Sequence, residues 1–150
     1  MDAIFDRVVR EFFPNTTIPF WKKWLFRTAF GNKVFSRLIY NERLVNKNGV
    51  EWVNAVVELL ELKCESEHHQ FNNIPEHGAT VVISNHPTVI DGLSLIHTVS
   101  RVRSDIKIIA NHVLPIIFPQ VSELTIGIEN MAGKMSHKKF REMNDHLRKG

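Results

Sequence analysis

Ala79-Thr80-Val81-Val82-Ile83-Ser84, continuing into Asn85-His86-Pro87-Thr88-Val89-Ile90-Asp91-Gly92, is the stretch on which the fold turns. Its first six residues are uncharged and rich in β-branched side chains, which predicts a strand buried on both faces of a sheet. Pro87 disfavours α geometry at His86, so the imidazole is expected to leave the strand end in an extended conformation before a helix begins. Within one helix, positions five apart sit well round the cylinder from each other. With His86 outside the helix and Asp91 in its first turns, the chain can fold back and the two side chains can meet. A carboxylate bonded to Nδ1 fixes the tautomer that leaves Nε2 free to take a proton, and it stabilises the imidazolium that results. His86 and Asp91 thus form a candidate base and its orienter. The alternative is a helix-start histidine satisfied by a nearby carboxylate.

Outward from this stretch the order is helix, strand, then strand-helix units. Val50 to about Glu58 has helical spacing, and Leu60 to Cys64 alternates as a strand does. Further strands are expected at 79–84, 106–110 and 124–128, with a helix near 90–102 and a short, proline-broken one near 112–118. A last helix is expected at about 135–148, with Ser136 as its N-cap. Strands alternating with helices predict an α/β domain with a mostly parallel sheet and right-handed crossovers, preceded by an amphipathic helical N-terminal segment. In such sheets ligands bind at the carboxyl ends of the strands, where Asn85 and His86 fall. The domain organisation expected is an aromatic and basic segment at 1–48, then the α/β part at 49–150.

At Asn85-His86 and Asp91 the sequence resembles the glycerophospholipid acyltransferase superfamily, of the lysophosphatidate and glycerol-3-phosphate type, whose first motif is Asn-His, four residues, then Asp. Gly92-Leu93-Ser94-Leu95 and Arg101-Val102-Arg103-Ser104-Asp105-Ile106-Lys107-Ile108-Ile109-Ala110-Asn111 look most like its hemolysin-like branch, which includes ornithine-lipid acyltransferases. The resemblance covers roughly Leu60 to Gly150. It implies that His86 is the general base that deprotonates an acceptor hydroxyl or amine, with Asp91 as its partner. The donor implied is an acyl thioester of coenzyme A or of acyl carrier protein, and no tightly bound cofactor is expected. Asn85, Thr88 and Gly92 are candidate substrate-binding or turn-shaping residues beside the pair.

Two departures from the family pattern are visible. Its second motif carries a phosphate-binding arginine, whereas Leu124-Thr125-Ile126-Gly127-Ile128-Glu129-Asn130-Met131 has none. Lys134, Lys138, Lys139 and Arg141 follow and can supply positive charge, or can simply form a solvated helix face. A third motif, a Glu-Gly-Thr type turn after a further strand, falls beyond Gly150. A truncated or split catalytic domain is therefore expected, and a catalytically incomplete membrane-associated module is the rival to an active enzyme.

The chain has 150 residues and is 43% hydrophobic, enough for a core without disulfides or metal. Its single cysteine, Cys64, is expected to be a buried structural thiol. Cys64, His68, His69 and His77 match no standard zinc spacing, so no metal is expected. Residues 1–48 hold nine Lys or Arg against four Asp or Glu, and ten of the fourteen aromatic residues lie in the first forty. Ile4, Phe5, Val8, Val9, Phe12 and Phe13 recur at helical spacing, and Trp21, Trp24, Phe26 and Phe30 stand among Lys22, Lys23 and Arg27. Rings beside long cations suit a helix in the lipid headgroup zone; packing onto the α/β core is the alternative, and single-stranded nucleic acid the least favoured. No stretch is long and apolar enough to span a membrane, and acidic and basic residues interrupt any signal-like N-terminus. The expected location is cytoplasmic, peripheral on the cytoplasmic face of a membrane.

Overall fold

The computed structural model describes residues 41–64, 71–85, 89–128 and 136–149, together with Pro19 and Leu38. These form a mixed α/β fold with a small parallel sheet of two strands and several helices. The rest of the aromatic and basic segment up to residue 40 lies outside the described residues, and so do His68, His69, His86, Thr88 and Lys134.

Helix α1 (Glu42–Val45) starts at Asn41, whose side chain accepts from the Arg43 amide at 2.9 Å. Helix α2 (Gly49–Leu59) follows the expected spacing, with Trp52, Val53, Val56 and Val57 turned inward and all buried. The chain enters it through Gly49 at φ +58, a conformation that glycine adopts without a steric penalty. Leu44 and Leu38 pack into the same core.

The end of α2 corrects one expectation. Leu60–Cys64 alternates like a strand, but Leu62 N–H donates to the Val57 carbonyl and Glu61 N–H to that of Glu58, both at 3.0 Å. This is the Schellman arrangement that closes a helix, and it consumes the donors a ladder would need. Glu61 sits at φ 52, where glycine is the usual occupant. Glu61→Gly is therefore expected to stabilise the chain by about 1 kcal/mol. Chemical denaturation reads this as a higher midpoint with an unchanged slope; an unchanged or lower midpoint would refute it.

The parallel pair is β1 (Ile108–Asn111) and β2 (Thr125–Ile128), in register from Ile108 opposite Thr125 to Asn111 opposite Ile128. Their connection contains helix α4 (Leu114–Ile117) and a single 3-10 turn at Pro119–Val121. Asn111 Oδ1 accepts from the Val113 amide at 2.9 Å and turns the chain out of β1. Gly127 lets β2 lie close to the end of β1, since a Cβ there would stand 3.0 Å from His112 Cα. The core lies between α2, helix α3 (Val89–Val99) and this connection, with Trp52 against Phe118 at a ring separation of 5.3 Å. The last helix, α5 (His137–Arg148), is capped as expected by Ser136, which accepts from the Lys139 amide at 3.3 Å.

The segment 79–84, expected as a buried strand, is irregular and exposed. Val81, Val82 and Ile83 are 67%, 48% and 88% exposed, and among the described residues no backbone hydrogen bond ties 79–85 to a neighbouring strand. A strand is held by its ladder rather than by local preference, and among the described residues β1 is hydrogen-bonded to β2 alone.

Candidate functional site

Asp91 lies in the first turn of α3, half-buried, where the helix N-terminus favours a carboxylate. Gly92 follows it on the same turn, also half-buried, and Asn85 is exposed on the approach. His86 and Thr88 are outside the described residues, so Asp91, Asn85 and Gly92 are the members of the expected site that the geometry covers. Asp91 is in the first turn of the helix, and residues 79–85, the described part of the chain before it, are irregular.

Helix α3 is fixed against α2 by both apolar and polar contacts. Ile96 is buried against the core, and at the next residue His97 Nδ1 lies 2.8 Å from Asn54 Oδ1. Because an amide oxygen accepts only, Nδ1 is the donor in this contact. Ser100 Oγ donates to the His97 carbonyl at 2.8 Å and lies 3.5 Å from Asn54 Oδ1. The helix that carries Asp91 therefore has its rotation set by a polar contact with α2.

The approach is held by Arg103. Its Nε and Nη2 donate to the two carboxylate oxygens of Asp105 at 2.8 and 2.7 Å, while Nη1 lies within 3.1 Å of the Pro75 and Gly78 carbonyls and Thr80 Oγ1. The planar guanidinium can serve both sides at once, which an ammonium cannot. Arg101 adds a second tie, standing 4.9 Å above the Phe71 ring. His146 Nε2 donates to the Asp105 carbonyl at 3.0 Å and brings α5 to the same corner. The turn leading into 79–85 is thus anchored at its start, at Gly78 and Thr80.

Arg103 holds the Asp105 carboxyl below its ordinary range, chiefly by the side-chain hydrogen bonds, and Asp105 in turn raises Arg103. A carboxyl lowered on folding contributes stability above its unfolded pKa and loses it as pH falls through the folded value. The corner is therefore expected to hold from neutral pH down to about 4 and to loosen below that. The Gly78 and Thr80 amide chemical shifts should move through an acid transition in the wild type, and in Arg103→Ala should already be displaced at neutral pH and show no such transition. Identical Gly78 and Thr80 shifts in the two proteins at neutral pH would remove the anchoring role.

The stretch compared with the second motif is β2 as far as Ile128 and offers no guanidinium. Of the cations downstream, Lys139 pairs with Glu142 at 2.8 Å, while Lys138 and Arg141 are exposed. A hollow of about 360 Å³ runs along the outer side of α5, lined by His137, Phe140, Arg141, Asn144, Asp145 and Arg148. Cys64 is half-buried against the core rather than fully buried, because the chain is leaving α2 there. No helix among the described residues is long and apolar enough to cross a membrane.

Sequence reasoning missed Asn54, His97 and the reach of Arg103. The Arg103–Asp105 spacing was open to view, but its far acceptors are backbone carbonyls, which leave no mark in a residue pattern. Neither a protein-family model, nor a curated protein, nor a solved structure matches the chain.

Proposed function

We propose that the chain carries the acceptor-activating part of an acyltransferase that moves a fatty acyl group from a coenzyme A or acyl carrier protein thioester to a lipid-precursor acceptor. The observation that supports the reading is Asn85-His86 followed by Asp91, with the carboxylate in the first turn of α3. His86 removes the acceptor proton as oxygen or nitrogen attacks the thioester carbonyl, and Asp91 steadies the imidazolium. The carbonyl carbon gains a bond to the acceptor, the C–S bond breaks, and thiolate leaves with little need of a proton.

The acceptor is a lysophospholipid, a glycerol phosphate or an amino-acid lipid. The missing arginine between Ile126 and Met131 favours an amine-bearing precursor, since scattered lysines reproduce a fixed bidentate guanidinium poorly. Residues 1–48 then hold the protein on the cytoplasmic face of a membrane through rings and cations, with no nucleic acid or metal as partner. The second reading is the catalytically incomplete membrane-associated module, supported by the lack of an arginine between Leu124 and Met131.

An acyl-transfer assay with a panel of acceptors decides, run on this chain and on a version extended through the missing motif. Transfer to an amine acceptor by either protein supports the enzyme. Inactivity of both with every acceptor and both donors leaves the module. Efficient use of glycerol 3-phosphate with amine acceptors inert would refute the acceptor preference alone.

A further inference from the structure

Residues 81–85 are all exposed, and among the described residues their backbone enters no hydrogen bond. Val81, Val82 and Ile83 stand in water there, with Ile83 88% exposed. Side chains branched at Cβ favour strands, and a row of unpaired amides and carbonyls beside them is a template for another strand. One end of the run is held: Arg103 Nη1 donates to the Gly78 carbonyl and to Thr80 Oγ1, which lowers the entropy that pairing has to remove. No Asp, Glu, Lys or Arg occurs from His77 to Ile90, so no like charges would face each other across a pair of such segments.

The order of the residues selects the partner. Thr80-Val81-Val82-Ile83-Ser84 runs hydroxyl, three β-branched aliphatics, hydroxyl, and by chemical type it is the same in both directions. Laid antiparallel on a second copy about Val82, it sets Thr80 opposite Ser84, Val81 opposite Ile83, and Val82 opposite Val82. Hydroxyl then meets hydroxyl and branched aliphatic meets branched aliphatic, each a favourable cross-strand pair. We propose that residues 80–84 pair antiparallel with the same residues of a second copy of this chain. The contact is isologous, so it closes at two copies. It is also small, so the dimer is weak and depends on concentration. It rests neither on the acyltransfer reading nor on residues 1–48.

Sedimentation equilibrium of the full chain reads the assembly, with Cys64→Ser in every protein to remove disulfide dimers. The mass is expected to rise from one chain to two with concentration and to stop there. Val82→Lys sets like charges opposite each other on the axis and should weaken dimerisation on the order of tenfold, with circular dichroism unchanged because the side chain is exposed. Val81→Lys with Ile83→Lys should weaken it as well. Val81→Lys with Ile83→Glu should instead keep the dimer, because the antiparallel register brings each new cation opposite a new carboxylate. A parallel register would set like on like, and both double variants would then fail together. That outcome would overturn the proposal, and so would growth past two copies. A mass of one chain at every concentration would also overturn it, and slow exchange of the 81–84 amides in that monomer would assign the pairing to another segment of the same chain.

Discussion

Purified His86→Ala protein is expected to lose acyl transfer by about 10² to 10⁴-fold in whichever form of the chain is active, with its circular dichroism unchanged. The factor is what a positioned general base contributes, so binding and oxyanion stabilisation account for the activity that remains. Asp91→Asn should lose less than His86→Ala but still orders of magnitude, because an amide keeps the shape of the contact and removes the charge that steadies the imidazolium. The rise of kcat/KM with pH that tracks imidazole ionisation should disappear with His86 and move to lower pH with Asp91→Asn. That direction follows from linkage, since a carboxylate raises the pKa of its histidine and its removal lowers it. Folded His86→Ala protein that kept wild-type turnover would end the dyad hypothesis.

The second large effect concerns the core. Trp52 is 2% exposed, packs on Phe118 and lies among Val53, Val56 and Leu124. Trp52→Ala should destabilise the chain by about 3–5 kcal/mol, which is a large part of the total stability of a small domain. Trp52→Phe should be far milder. The indole Nε1 is buried with no hydrogen-bond partner among the described residues, so the smaller ring removes a donor that folding leaves unsatisfied there. Urea denaturation of the two variants decides the matter: similar losses would mean that the N–H, rather than the ring, carries the contribution of Trp52.

What the sequence made legible follows from where each signal resides. Helices α2, α3 and α5 announce themselves through apolar spacing, and Ser136 through its capping chemistry, all of which are local. The parallel pairing of β1 and β2 follows from two β-branched runs joined by a crossover. Glu61 gave no warning, because the residue that closes α2 is a glutamate where a glycine would have signalled the turn. Val81 to Ile83 have the composition of a buried strand, but composition cannot supply a ladder partner. At the candidate site, the spacing from His86 to Asp91 was readable; Asp91 falls in the first turn of α3, and His86 lies outside the described residues. Asn54 and His97 are 43 residues apart, and only the packing of α2 on α3 reveals that they meet.

The exposed run from Val81 to Ile83 also decides how this molecule would be cut. Proteases bind their substrates as extended, accessible backbone, and this run is apolar, uncharged and free of ladder hydrogen bonds among the described residues. An enzyme that cleaves beside aliphatic residues should therefore nick the chain there before it attacks α2 or α3. The two pieces would not separate at once, because α2 on one side of the cut is packed against α3 on the other and joined to it through Asn54 and His97. Arg103 would also keep its grip on the turn at Pro75, Gly78 and Thr80, now in the other fragment. The protein would thus behave as a naturally marked pair of complementing fragments, one ending before the candidate base and one carrying both base and carboxylate.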